Sequence, residues 1–153
     1  MIDCEWGLRG LEMLASRVAA VVIVDVLSFS TAVDVALGRG GRIAPFPHGD
    51  LDAARAEAKK RGALLAYPRR AAGGQFSLSP ASLMKLDAGA TLLLPSPNGS
   101  RLSVAGGATP ILTGCLRNAS AVARAARRIA GQGSIGVVPA AERWPDGSLR
   151  PAI

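Results

Sequence analysis

The side chains in this sequence that could do chemistry fall into three kinds, all in segments that follow strand-like stretches. There are carboxylates at Asp25, Glu142 and Asp146, amide and hydroxyl groups at Asn98, Ser100 and Asn118, and arginines at Arg101, Arg143 and Arg150. Oxygen ligands of this kind hold Mg²⁺, and arginines clamp oxyanions. Each group also has a plainer reading. Asn98-Gly99 suits a turn, Asn118 a helix cap, and Glu142 and Asp146 solvated loop positions. Their shared placement after successive strands favours the chemical reading, because ligands of open α/β sheets bind at the carboxyl ends of the strands.

Asp25 is the best placed of these residues. Val18-Ala-Ala-Val-Val-Ile-Val24 is an unbroken apolar run that reads as a strand buried on both faces. It delivers Asp25 into a turn carrying Ser28, Ser30 and Thr31, and a helix follows over about 30–38. A helix N-terminus favours an anion and a carboxylate favours a cation, so together they suit a metal with a phosphate or sulfonate. The same residues equally admit Asp25 as the cap of that helix.

The elements that must position these groups alternate. Leu8, Leu11, Met13 and Leu14 give a short helical spacing before the first strand, while residues 1–6 carry no signal. Further strands are expected at about 42–46, 63–67, 90–94, 109–113 and 134–138, the fifth edge-like because of Pro110. Helices are expected at 51–61, capped by Asp50, at about 79–86, and at 119–129, capped by Asn118. Pro68 to Ser79, with Arg69, Arg70 and Gly73, reads as a loop, as do Pro95 to Ser100 and Pro139 onward. This alternation predicts one α/β domain over 1–153, a mostly parallel sheet with helices on both faces in three layers, α/β/α.

Several functions are excluded by pattern. Gly131-Gln-Gly-Ser-Ile-Gly136 matches a dinucleotide-binding string but lies between a helix and a strand, so it reads as a helix stop. Leu27 stands where an aspartyl-nucleophile phosphatase needs a second Asp, and Cys115 has no Arg six residues on. The single histidine, His48, has no visible triad partner. Lys and Arg number 18 against 11 Asp and Glu, a formal charge of +7 that suits an anionic partner. There is no basic run and no aromatic–basic interleaving, which argues against nucleic acid. Cys4 and Cys115 form no metal-ligand pair, no leader pattern is evident, and no apolar run could span a bilayer. These features predict a cytoplasmic protein with reduced thiols and no membrane partner.

An ordered set of strings resembles the 2-phosphosulfolactate phosphatase family. They are Val24-Asp-Val-Leu27 with Ser30-Thr31, Gly74-Gln-Phe-Ser-Leu-Ser-Pro80, Ser96-Pro-Asn-Gly-Ser100, Gly114-Cys-Leu-Arg-Asn-Ala119, and Val138-Pro-Ala-Ala-Glu-Arg143 with Asp146-Gly-Ser-Leu-Arg150. The resemblance implies a Mg²⁺-dependent hydrolase acting on a small anionic phosphomonoester, in coenzyme M biosynthesis where that pathway exists. It implies that Asp25 and Glu142 are metal-site carboxylates. Ser30, Thr31, Asn98, Gly99, Ser100 and Asn118 would line the substrate pocket, and Arg143 and Arg150 would complete an acid-plus-cation edge with Glu142. Three departures stand against it. Ser28 replaces the family's Arg, Ser77 replaces an Asp, and the family continues past the equivalent of Ile153, so the chain reads as a C-terminally shortened member. The competing expectation is a non-catalytic anion-binding or interaction protein derived from that family. The open C-terminal edge also leads us to expect a partner subunit, as in a homo-oligomer.

Overall fold

A computed structural model describes residues 1–47, 50–68 and 74–151, with Arg143, Leu149 and Pro151 as backbone only. His48, Arg69, Arg70 and Gly73 lie outside the described residues. The elements in chain order are β1 (Ile2–Cys4), α1 (Gly7–Ala15), β2 (Ala20–Val24), α2 (Phe29–Gly38), β3 (Arg42–Pro47), α3 (Leu51–Lys60), β4 (Leu64–Tyr67) and β5 (Phe76–Ser77). Then come α4 (Pro80–Leu83), β6 (Thr91–Ser96), α5 (Gly99–Ala105), β7 (Ile111–Gly114), α6 (Ala119–Ala130), β8 (Ile135–Pro139), β9 (Ala141–Arg143) and β10 (Leu149–Pro151).

The α/β class and the parallel strands match the expectation. Eight of the strands form two four-stranded sheets, in the orders β1-β8-β2-β7 and β3-β6-β4-β5, and all the pairings within them are parallel. Proline explains where the sheets stop. Pro45 and Pro47 remove alternate donors from β3, and Pro110 immediately precedes β7, so each of these strands is an edge.

The apolar run behaves as a doubly buried strand. Val21 and Ile23 of β2 join Val138 and the α1 and α2 side chains in one core, which also takes Leu92 and Leu94 of β6 from the other sheet. Val22 points the opposite way, against Ala126 and Ala130 of α6. On the second sheet Leu93 turns outward to Ala54 and Ala58 of α3. Each sheet thus has helices on both faces, and the strand pleat explains the split at every step. Gly131, at φ +54°, ends α6 where the glycine string predicted a helix stop. No helix among the described residues is long and apolar enough to cross a membrane.

The segment after β8 is not the loop expected from its sequence. It folds into an antiparallel hairpin with Glu142 opposite Arg150. Three more differences are the edge strand β1, which pairs with β8, β5, which lies inside the segment 68–79 read as a loop and pairs with β4, and α5, which begins inside the segment read as a turn.

Candidate active site

Three chain segments meet at the carboxyl ends of β2, β6 and β8. The first is the turn after β2, which its hydroxyl groups close. The Asp25 N–H donates to Ser30 Oγ at 3.0 Å, the Ser30 N–H donates to the Asp25 carbonyl at 2.8 Å, and Thr31 Oγ1 donates to the Val26 carbonyl at 2.7 Å. Ser28 Oγ donates to the Leu78 carbonyl at 2.9 Å, tying the turn to the segment before α4. The hydroxyls at 30 and 31 therefore shape the backbone that carries Asp25.

The second segment is the β6–α5 turn. The Gly99 N–H donates to Asp25 Oδ2 at 3.1 Å, and the Phe29 N–H also donates to this carboxylate. Phe29 and Gly99 are the first residues of α2 and α5, so the Asp25 carboxylate lies across two helix N-termini, where negative charge is favoured. The approach is possible only because residue 99 has no side chain. A Cβ there would lie 2.1 Å from Phe29 Cγ and Cδ1. Ser100 is fully buried and spends its hydroxyl on the Leu94 carbonyl.

The third segment is the hairpin. The Ala140 N–H donates to the Val24 carbonyl at 2.8 Å, which fixes the start of β9 beside the end of β2. Asn98 Nδ2 then donates to Glu142 Oε1 at 2.8 Å. Asp25, Asn98, Gly99 and Glu142, distant in sequence, so become one cluster.

Among the described residues its electrostatics are set by two carboxylates and backbone N–H groups. Asp25 is buried, and that burial lifts its carboxyl above the usual carboxylate range. The Phe29 and Gly99 N–H groups oppose the shift, and the negative Glu142 adds to it. Among the described residues no Lys or Arg forms an ion pair with either carboxylate. All available ligands are hard oxygens, and Mg²⁺ is commonly held by one or two carboxylates with waters and a substrate phosphate. The pair Asp25 and Glu142 fits that donor set. No group of three or more His, Cys, Asp or Glu that could hold a metal occurs among the described residues.

Of the arginines, Arg150 sits across the hairpin from Glu142 with its guanidinium carbon 4.7 Å from the centroid of the Trp144 ring. Its Nε is buried and has no hydrogen-bond partner. The backbone of Arg143 pairs with Leu149 in the same hairpin. Arg101 lines a cavity of about 50 Å³ with Asn98, Pro97, Gly7, Leu8, Leu102 and Ala141, beside the cluster. Larger cavities lie elsewhere. The one of about 330 Å³ beside α6 is lined mainly by aliphatic side chains and holds neither carboxylate.

Asn118 is not brought to the cluster. Its Oδ1 accepts from the Cys115 N–H at 2.8 Å and its Nδ2 donates to the Thr113 carbonyl at 3.1 Å, so its amide is used within the β7–α6 turn. Asp146 is exposed at the hairpin tip, where it accepts from the Ser148 N–H and hydroxyl, which hold its carboxyl below the usual range. Two of the three expected departures from the family pattern lie close together, since Ser28 binds the carbonyl of Leu78, the residue after Ser77. Two features escaped the sequence reading. Gly99 acts as a donor through its backbone, and Trp144 stacks on Arg150. Only the helical spacing of Leu102 and the stop at Gly106 hinted at α5, and nothing local marked Trp144.

Among protein-family models, the one described as 2-phosphosulpholactate phosphatase matches the chain over residues 11–144. No curated protein matches it.

Proposed function

The chain belongs to the 2-phosphosulfolactate phosphatase family, and we propose that it hydrolyses a small anionic phosphomonoester resembling 2-phosphosulfolactate, with Mg²⁺ held by Asp25 and Glu142. The observation that supports this most is the convergence of two carboxylates and an amide from three loops, joined by the Asn98–Glu142 bond of 2.8 Å and the Gly99–Asp25 bond of 3.1 Å. A divalent cation bound there would neutralise charge on the phosphoryl oxygens. The residues of the chain do the rest. Gly99 and Phe29 hold the Asp25 carboxylate in place, and Asn98 orients Glu142 by occupying Oε1 and leaving Oε2. Arg150 binds the oxyanion through its terminal N–H groups, and Arg101 adds positive charge nearby.

Phosphomonoester hydrolysis is among the slowest uncatalysed reactions, and its barrier must fall by about 20 kcal/mol or more. Hydrogen bonds and arginines alone do not reach that figure, so removal of the metal should abolish turnover. The test is phosphate release from 2-phosphosulfolactate and from a generic phosphomonoester, with Mg²⁺ and with EDTA. Asp25→Asn should lower turnover at least ~100-fold in a folded protein, the scale of losing one transition-state charge contact. Near-normal activity in that variant, or in EDTA, would sink the assignment.

A second reading is a non-catalytic anion-binding protein derived from the family. It is favoured by the two backbone N–H groups on Asp25, which also suit a purely bracing carboxylate. Orthophosphate binding without turnover in Mg²⁺ would support this reading over the first.

A further inference from the structure

Trp144 and Arg150 form an arrangement that the proposed chemistry does not yet explain. Glu142 and Arg150 are directly opposed in the β9–β10 hairpin, so their side chains leave on the same face. An arginine in that position would ordinarily close onto the carboxylate. No such ion pair forms among the described residues. Instead the guanidinium carbon lies 4.7 Å from the Trp144 ring centroid, and Nε is buried without a partner.

The hairpin turn holds the ring there. The Trp144 N–H donates to the Ser148 carbonyl at 2.9 Å, and the Gly147 N–H donates to the Trp144 carbonyl at 2.8 Å. Asp146 Oδ1 fastens the same turn by accepting from the Ser148 N–H at 2.8 Å and from its hydroxyl at 2.6 Å. An indole face attracts a guanidinium without using any of its N–H donors in their own plane. Stacking therefore fixes the group with its Nε enclosed and leaves the terminal N–H groups, which form no ion pair among the described residues, for an oxyanion.

We propose that Trp144 is a positioning residue: its ring keeps the Arg150 guanidinium open to the phosphoryl oxyanion and prevents it from closing onto Glu142. This rests on the reading of Arg150 as the oxyanion clamp. Trp144 does not touch the reacting atoms and acts only through Arg150. Without the ring, Arg150 neutralises Glu142 and both groups are lost to the site.

The test is a double-mutant cycle on the full chain, with Trp144→Ala, Arg150→Ala and the pair, read as KM and kcat for a phosphomonoester in Mg²⁺ and as the dissociation constant for inorganic phosphate. Trp144→Ala should weaken phosphate binding and raise KM by roughly threefold to tenfold, the worth of a half-exposed cation–π contact. The loss should vanish when Arg150 is already Ala, and Trp144→Phe should restore most of it because a ring face remains. The chain has two tryptophans, Trp6 and Trp144. In a Trp6→Phe background, phosphate should change the Trp144 emission, and Arg150→Ala should remove that change. Additive losses in the cycle, no rescue by Phe, or an unchanged KM in Trp144→Ala would overturn the proposal while leaving the phosphatase reading intact. A folded wild type that neither binds phosphate nor releases it from any phosphomonoester would overturn both.

Discussion

Replacing Gly99 with Ala should damage stability and the site together, and the size of the effect can be worked out from the geometry. The new Cβ would lie 2.1 Å from Phe29 Cγ and Cδ1 and 2.5 Å from its Cβ. Carbon atoms in good contact sit ~3.5 Å apart, so ring or backbone must yield by about 1.4 Å. Phe29 is fully buried and is the first residue of α2, so it cannot swing out to solvent. Overpacking of this kind costs about 1–3 kcal/mol, and weakening the Gly99 bond to the Asp25 carboxylate adds ~1 kcal/mol or more. A total near 3 kcal/mol corresponds to a fall of about 6–12 °C in melting temperature for a chain of this size. The assay is urea and thermal unfolding of Gly99→Ala beside the wild type, followed by Gly99→Ala with Phe29→Leu. The smaller side chain should make the two losses clearly less than additive. A Gly99→Ala protein within ~0.5 kcal/mol of wild type would refute the close approach, and with it the argument that glycine is needed to bring the Asp25 carboxylate onto α5.

The pH dependence of Asp25 has a definite sign. Its folded pKa lies above the ordinary 3.8, so its favourable contribution is complete below that value and is lost as pH rises through the folded pKa. The stability of wild type minus that of Asp25→Asn should therefore fall from acid toward neutral pH; a flat or rising difference in unfolding scans would contradict the burial argument. Asn118→Ala should cost roughly 1–2 kcal/mol in urea unfolding by orphaning the Cys115 N–H and the Thr113 carbonyl. Its KM should stay within error of wild type, and a large KM increase would return Asn118 to the pocket. Ser28 is buried, so Ser28→Arg should destabilise by about 3 kcal/mol as an unpaired buried charge. Adding Ser77→Asp should recover part of that in the same denaturation experiment, and no recovery would mean that the two departures are independent.

Much of the scaffold was legible in the sequence because it depends on local periodicity. The run into β2, α3 with its Asp50 cap, the extent of α6, and the glycine stop at residue 131 are each specified by neighbours within a few residues, although Asn118 makes no side-chain cap bond to α6. The pieces that escaped are short or cooperative. β1 is three residues long and is a strand only because β8 lies beside it. The β9–β10 hairpin has no alternating apolar pattern, and its place is set by Ala140 bonding to Val24. α5 starts at a glycine, which usually marks a turn, and that glycine is required by Phe29, 70 positions earlier in the chain.

The same division holds for the site. Residue type and strand-following position alone singled out Asp25, Asn98, Glu142 and Arg150, because open α/β folds gather such loops at one edge, whereas Gly99 entered only through the family resemblance. Only the tertiary structure decided how each is used. It turned the hydroxyls of Ser30, Thr31 and Ser100 onto backbone groups and spent the Asn118 amide on its own turn. It joined Asn98 to Glu142 and set Trp144 against Arg150. A side chain's chemistry is written in its identity, whereas its partner depends on which strands become neighbours. In this chain the two sheets and the hairpin after β8 made that choice.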